Sequence, residues 1–310
     1  MPRDIAQGAG APPNERPITR VFHHSRYSPG LIARVRSERG LGVSVCLPAR
    51  ECAQTVGEIV EVLARLRDAR AIDEIVVVDA GSADGTAEVA RRAGATVWQE
   101  AELMASFGPV LGKGDAMWRA LSVLDGELIC FLDADTEAFG EHFATGLLGP
   151  LVCEPEVSFV KAFYERPLRA GEAQQAQAGG RVNHLLARPA LELFYPQLAA
   201  LRQPLAGEVA GRRALFERLP FSTGYGVEIG IVIDAWREVG LEGIAQVDLD
   251  EHRHRHQPLD ALRQMSLTVL ATIAARLERE GRLLGLAGNG RGPRAHAPLE
   301  RPPFASVRAR

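Results

Sequence analysis

Glu127-Leu128-Ile129-Cys130-Phe131-Leu132-Asp133-Ala134-Asp135 is an apolar run of strand length that ends in two carboxylates one residue apart. Such a run reads as a buried strand of a parallel sheet. The carboxylates then stand where the strand leaves the sheet, at the edge where open α/β folds bind ligands. Two acids so close repel each other unless a cation lies between or beside them. A hard divalent cation with phosphate oxygens is the natural third party. The stretch is therefore expected to be an Asp-X-Asp site for a metal and the phosphate oxygens of a ligand.

Upstream, the chain alternates strands with helices. Gly42 to Ala49 gives a first strand with its exit at Pro48-Ala49-Arg50, and Thr55 to Arg67 a helix with Val56, Ile59, Val60, Leu63 and Leu66 at helical spacing. Ile72 to Asp79 is a second strand, Ala80 to Thr86 a turn, 87–93 a helix and Ala95 to Trp98 a third, short strand. This alternation predicts an α/β fold with a parallel sheet covered on both faces. Gly112-Lys113-Gly114-Asp115 then opens a helix. The glycines let backbone approach a ligand, and a helix start favours an anion. The spacer and trailing Ser/Thr of a Walker loop are absent.

Downstream, the pattern is more helical. Val157 to Tyr164 reads as an edge strand, 170–178 as a mobile loop, and His184 to Leu198 as a long helix behind Gly179-Gly180-Arg181-Val182-Asn183. Pro204 to Glu208 and Phe221 to Glu228 read as loops feeding a helix from Ile229 to Val239. Ile244 to Leu249 is a late strand running into Glu251-His252-Arg253-His254-Arg255-His256, and a final amphipathic helix covers about 258–280. Residues 1–17 and 288–310 are expected to be disordered, and 18–40 to lead into the domain across its surface. The remainder divides into a nucleotide-sugar half, 18–150, and an acceptor half, 151–287.

The 310 residues are 46% hydrophobic and 24% charged, which suits a globular enzyme with an ample core. A net charge of −3 gives no electrostatic reason to expect nucleic acid as a partner. Cys46, Cys52, Cys130 and Cys153 lack zinc spacing and read as buried thiols of a reducing cytoplasm. No secretory signal and no bilayer-length apolar segment is visible.

Each motif has a plain structural alternative. The two Asp could be solvated acids at a strand end, but they follow the apolar run directly. Phosphatases of the haloacid dehalogenase type share Asp-X-Asp, but place Thr or Val where this chain has Glu137, and usually carry the motif near the start. His252, His254 and His256 fall on one face if the segment stays extended. They could form a solvated loop, bind zinc themselves, or reach the sheet edge that carries Asp135. Lys113, the Gly180–Asn183 turn and Glu228, placed just before a helix in Gly224-Tyr225-Gly226-Val227-Glu228, are equally compatible with solvated or capping roles.

Taken together, Leu47 to Arg50, Asp79 to Ser82, Gly112 to Arg119 and Phe131 to Asp135 resemble the nucleotide half of a GT-A glycosyltransferase. Lys161 to Leu168, Gly179 to Asn183, Leu219 to Phe221, Gly224 to Gly230 and His254 to Asp260 resemble glycosyltransferase family 81, the glucosyl- and mannosyl-3-phosphoglycerate synthases. The resemblance covers roughly 40–275. It implies a nucleotide-sugar site of Pro48, Ala49, Arg50, Ala80, Lys113, Asp133 and Ala134, with Tyr225 and Glu228 on the donor sugar. It implies Mg²⁺ or Mn²⁺ on Asp135 and His254, and 3-phosphoglycerate on Gly180, Arg181, Val182 and Asn183 with His256. It also implies a homodimer. Glucosyl members typically carry Arg-Ala-His-Arg-Asn where this chain has His252-Arg253-His254-Arg255-His256. That departure makes acceptor binding more sensitive to pH through His252 and His256, and favours GDP-mannose as donor over GDP-glucose or UDP-glucose.

The expected reaction is metal-dependent hexosyl transfer to the C2 hydroxyl of D-3-phosphoglycerate with retention. The metal would stabilise the leaving diphosphate, with Lys113 assisting. Double displacement needs a carboxylate beneath the sugar; Glu228 is the candidate, though the family points to front-face return with Glu228 orienting the sugar. A nucleotidyltransferase is the rival enzyme class, but usually opens with a Gly-rich loop where Pro48-Ala49-Arg50-Glu51 stands. A nucleotide-binding module that has lost catalysis is the non-enzymatic rival.

Overall fold

A computed structural model describes residues 20–165, 180–251, 259–283 and 299–308. Ten strands are present among them: β1 (Val21–His23), β2 (Val43–Ala49), β3 (Glu74–Asp79), β4 (Thr96–Gln99), β5 (Leu128–Phe131), β6 (Phe159–Glu165), β7 (Val209–Arg212), β8 (Phe221–Ser222), β9 (Ile244–Glu251) and β10 (Glu300–Arg301). The helices are α1 (Pro29–Arg39), α2 (Val56–Asp68), α3 (Thr86–Ala93), α4 (Lys113–Ala120), α5 (Glu141–Cys153), α6 (Arg188–Phe194), α7 (Arg213–Phe216), α8 (Val227–Val239) and α9 (Leu259–Arg279).

Eight strands form one sheet in the order β1-β9-β6-β7-β5-β2-β3-β4, and β8 pairs with β10 in a separate ribbon. All neighbours in the large sheet are parallel except β7, which runs antiparallel to both β5 and β6. Two antiparallel steps restore direction, so β5, β6 and β9 end at the same edge as β2, β3 and β4. Strands from 18–150 and from 151–287 share this sheet.

The continuous apolar runs are explained by burial on both faces. One core packs Ile32 of α1, the Val56–Leu66 face of α2 and Phe143–Val152 of α5 against Val43, Val45, Val77 and Val160. The other packs Met117 and Trp118 of α4, Ile229–Ile233 of α8 and Val269 and Ile273 of α9 against Cys46, Val76, Ile129 and Phe131. Apolar area removed from water contributes roughly 25 cal/mol per Å², so these two layers supply the main driving force. The predicted α/β class and the succession from β2 to β5 are what the chain adopts.

Four expectations are corrected. The segment from Val157 to Tyr164 is not an edge strand: β6 lies between β9 and β7, buried from Phe159 to Tyr164. The stretch 18–40, read as a surface lead-in, supplies the true edge strand β1 and helix α1, whose start Ser28 caps by accepting the Leu31 N–H at 3.2 Å. The segment Phe221 to Glu228 is not loop throughout: Phe221–Ser222 form β8, and α8 already begins at Val227. The stretch 299–308 is not part of a disordered tail: β10 is antiparallel to β8, with Arg301 opposite Phe221. The expectations for 1–17, for the 170–178 loop and for 288–298 lie outside the described residues.

Candidate functional site

The carboxyl edge of the sheet gathers charge from five elements. β5 runs out at Phe131, and the Leu132 N–H still donates to Cys46 O at 3.1 Å, so Asp133 is the first residue free of the ladder. Lys113, the first residue of α4, places its Nζ 2.5 Å from Asp133 Oδ1 and 3.1 Å from Glu228 Oε1. Glu228 sits in the first turn of α8, inside the helix rather than before it. The turn carrying Asp133 and Asp135 is pinned by Thr55, whose hydroxyl donates to Ala134 O at 2.6 Å, and by Thr136, whose hydroxyl donates to Asp133 O at 3.2 Å.

Two charged residues that sequence reading passed over lie behind this group. Gly207 packs so closely that a Cβ there would run into the Asp133 carboxylate. Its neighbour Glu208 is fully buried and accepts from Tyr164 Oη at 2.9 Å. Lys161, on β6, is also buried and donates to Ala206 O. Nothing local in the sequence marks either one, because they meet Lys113 and Asp133 only through the pairing of β6 and β7.

Four carboxylates (Asp133, Asp135, Glu208, Glu228) face two ammonium groups (Lys113, Lys161), a formal balance of −2. The side chains show its effects. Burial alone would lower the Lys113 ammonium, but Asp133, Glu228 and Glu208 outweigh it and hold its pKa well above the ordinary value. At Lys161 burial wins, and its pKa falls to about 8. Asp135 reaches solvent, yet partial withdrawal from water and then the Asp133 charge raise its carboxyl above the usual range, with Lys113 opposing. A site short of two positive charges, with a solvent-facing carboxylate at its mouth, fits a divalent cation.

The nucleotide-lining candidates lie along the same edge. Pro48 and Ala49 end β2, Arg50 projects from it, and the Ala80 N–H donates to Ala49 O at 2.9 Å. Beside them Asp79 is buried, accepting Gln99 Nε2 at 3.0 Å and the Ser82 N–H at 3.2 Å. Tyr225 is exposed in the turn before α8.

The acceptor candidates divide. Gly180 takes a left-handed turn with φ +79°, and Arg181 is exposed beside it. Val182 and Asn183 are buried; the Asn183 amide donates to Arg202 O at 3.1 Å and accepts the Leu205 N–H at 3.4 Å. Asn183 therefore holds the 202–206 loop, whose last carbonyl receives Lys161.

His252, His254 and His256 lie outside the described residues. What is described is their point of departure: β9 ends at Glu251, on the same edge as β5. Asp250, at φ +61°, accepts from His23 Nε2 at 3.0 Å and His24 Nε2 at 2.6 Å. The Ser25 N–H donates to His23 Nδ1 at 3.2 Å. This trio clasps β1 to the end of β9 by hydrogen bonds.

The model of glycosyl transferase family 2 matches residues 44–219, which take in nearly all of β2, β3 to β7, and Lys113, Asp133, Asp135, Lys161 and Glu208 of the site just described, but not Glu228. The chain belongs to that family. Within it, the chain is 40% identical to the glucosyl-3-phosphoglycerate synthase of Petrotoga mobilis over 269 residues, 86% of this chain and 83% of the relative. It is likewise 40% identical to the Mycolicibacterium smegmatis enzyme of that name over 281 residues, 88% of this chain and 92% of the relative.

Among solved structures, mannosyl-3-phosphoglycerate synthase from Rubrobacter xylanophilus superposes with a TM-score of 0.84 at 44% identity, covering 93% of this chain and 96% of that one. Glucosyl-3-phosphoglycerate synthase from Mycobacterium tuberculosis, in complex with Mn²⁺, UDP-glucose and phosphoglyceric acid, gives 0.76 at 35% identity, covering 91% and 95%. The expected resemblance to the hexosyl-3-phosphoglycerate synthases, the GT-A fold and glycosyltransferase activity are thereby borne out.

Proposed function

We propose that this glycosyltransferase moves a hexose from a nucleoside diphosphate sugar to the C2 hydroxyl of D-3-phosphoglycerate. The observation that carries the reading is the Lys113 ammonium held between Asp133 and Glu228, with Asp135 at the mouth, in a site two positive charges short. A donor diphosphate brings further negative charge to that edge, so a cation on Asp135, with His254 as the second ligand, suits the electrostatics. Mg²⁺ or Mn²⁺ supplies Lewis-acid stabilisation of the leaving oxygens.

The chain's own groups do the rest. Lys113 adds positive charge near the departing phosphate. Glu228, fixed by Lys113, orients the donor sugar hydroxyls beside Tyr225. Pro48, Ala49, Arg50, Ala80, Asp133 and Ala134 line the nucleotide. Gly180 and Arg181 offer an N–H-rich turn and a guanidinium to the acceptor's anionic groups, and Asn183 acts by fixing the loop behind them. Retention by front-face return belongs to this reading. So does a homodimer: Leu185 and Leu193, 79% and 71% exposed, give the 183–194 helical segment apolar surface that a second copy would cover.

Glucose is placed ahead of mannose. The departure at His252 and His256 favours mannose, but the curated relatives named above, 40% identical over more than four-fifths of this chain, are glucosyl enzymes. Incubation of the protein with 3-phosphoglycerate, Mn²⁺ and each of UDP-glucose, GDP-glucose and GDP-mannose tests all of this. Release of nucleoside diphosphate dependent on 3-phosphoglycerate is expected, fastest with a glucose donor. Release of inorganic diphosphate, or turnover indifferent to 3-phosphoglycerate, would overturn the assignment.

A further inference from the structure

We infer that the C-terminal stretch Leu299–Arg308 is a strap that sets the donor cleft, with Arg301 as the positioning residue for Lys113 and the loop that precedes it. The inference rests on Lys113 belonging to the nucleotide-sugar site.

The loop 103–112 joins the end of β4's 3-10 turn to α4, and its backbone has little ladder of its own. Met104 and Gly108 sit at φ +50° and +85°, and Gly112 at +91°. Two guanidiniums hold it. Arg119 donates to Leu103 O and, at 2.7 Å, to Gly108 O. Arg301 donates to Phe107 O at 2.6 Å and Pro109 O at 3.0 Å.

Both guanidiniums also meet Asp115, in the first turn of α4 and fully buried. Arg301 forms a bidentate pair with it, Nε to Oδ1 at 2.6 Å and Nη2 to Oδ2 at 2.8 Å. Arg119 Nε lies 3.1 Å from Oδ2. The same Oδ2 accepts the Leu111 N–H at 2.9 Å, so loop, helix start and strap meet at one carboxylate. Bidentate, water-excluded pairs of this kind are the strong, directional class, and lysine cannot reproduce the fork.

The strap also grips the other wall of the cleft. β10 pairs with β8, the Thr223 N–H donates to Leu299 O at 2.9 Å, and Ser222 Oγ donates to Glu300 Oε1 at 2.8 Å. β8 leads directly into the Tyr225 turn and Glu228. Trp118 Nε1 donates to Pro302 O at 2.8 Å, with the Trp118 ring against Phe304 at 5.7 Å. The two helices whose first turns supply Lys113 and Glu228 are thus joined through ten residues from the end of the chain. Catalytic geometry loses rate steeply with small displacements, so loosening this joint should both weaken donor binding and slow transfer through Lys113.

Calorimetric binding of UDP and GDP in the presence of Mn²⁺, with thermal unfolding and steady-state kinetics, tests this on wild type, Arg301→Ala, Arg301→Lys and Arg308→Ala. Arg308 lies on the same strap but forms only an exposed pair with Glu217 at 2.8 Å. Arg301→Lys is expected to fold, to bind the nucleoside diphosphate about tenfold more weakly and to raise donor KM, and to lower kcat at saturating donor as well because Lys113 shifts. Arg301→Ala should go further where it folds, and Arg308→Ala should match wild type. Unaltered affinity and donor KM in Arg301→Lys, or a loss of kcat alone from a smaller active fraction, would overturn the inference. Wild type that binds nucleoside diphosphate but ignores 3-phosphoglycerate would sink the acceptor assignment and leave this comparison readable. Wild type that binds no nucleoside diphosphate would sink both.

Discussion

Lys161 carries its charge where water does not reach, and that has a consequence for stability. Its folded pKa of about 8 lies below the ordinary lysine value of 10.5. Burial is the main cause and Lys113 adds to it, against the pull of Glu228, Glu208 and Asp133. Between those two values the unfolded chain binds more protons than the folded one, so stability should rise with pH from 8 to 10.5. Below 8 both states hold the proton, and the full cost is present and constant. The difference of 2.5 pKa units corresponds to about 3 kcal/mol at most. Lys161→Met, similar in volume, should remove most of that slope in urea unfolding measured at several pH values. An unchanged slope would show that Lys161 keeps an ordinary pKa.

At the reacting end, Asp135→Ala should abolish metal-dependent transfer. Lys113→Met should cost roughly 10²–10³ in kcat, the usual loss when one preorganised charge-stabilising group is removed. It also leaves Asp133 and Glu228 without the ammonium between them. Near-wild-type turnover in either variant, assayed with saturating Mn²⁺ and donor, would refute the role given to that residue.

At the scale of elements, what was legible followed from continuous local signal. The run Leu128–Leu132, the Val56–Leu66 spacing and the Gly112-Lys113-Gly114 helix start each state their structure within a dozen residues. β1 was not legible because Val-Phe-His is three residues long and lies in a basic context. β7 was missed because Val-Ala-Gly-Arg neither alternates nor forms an apolar run, and β10 because Glu-Arg in a Pro-rich stretch becomes a strand only against β8. Lys161 and Glu208 were passed over for the same reason at the site. Their chemistry is set by neighbours that arrive from other strands.

The joint between α4 and β8 makes a sharper test. A Cβ on Gly114 would overlap Ser222 O and lie 2.9 Å from Val227 Cβ. The first residue of α8 and the backbone of β8 leave no room for it. Gly114→Ala should therefore push α4 away from β8, cost roughly 1–3 kcal/mol by overpacking, and move Lys113 off Asp133 and Glu228. A lower Tm together with a raised donor KM is expected. A variant as stable and as active as wild type would mean that the two elements are not in the contact described.

For the whole molecule, the sheet brings opposed charges to one edge but leaves the balance two units negative. A nucleoside diphosphate arriving alone meets net repulsion there; a divalent cation arriving alone finds one solvent-facing carboxylate and too few further ligands. Each should help the other bind, and stabilisation by ligands follows their joint occupancy. At one hundred times its dissociation constant a ligand adds about 2.7 kcal/mol to the unfolding free energy. In a chain of this size each kcal/mol is worth roughly 2–4 °C or somewhat less. Thermal unfolding with Mn²⁺ alone and with UDP or GDP alone should therefore show small shifts, and with both together a rise of several degrees that exceeds their sum. In Asp135→Ala the excess should vanish while any shift from the nucleotide alone persists. Purely additive shifts in the wild-type protein would mean that the cation and the diphosphate do not meet at this edge, and that the negative balance serves the fold rather than the donor.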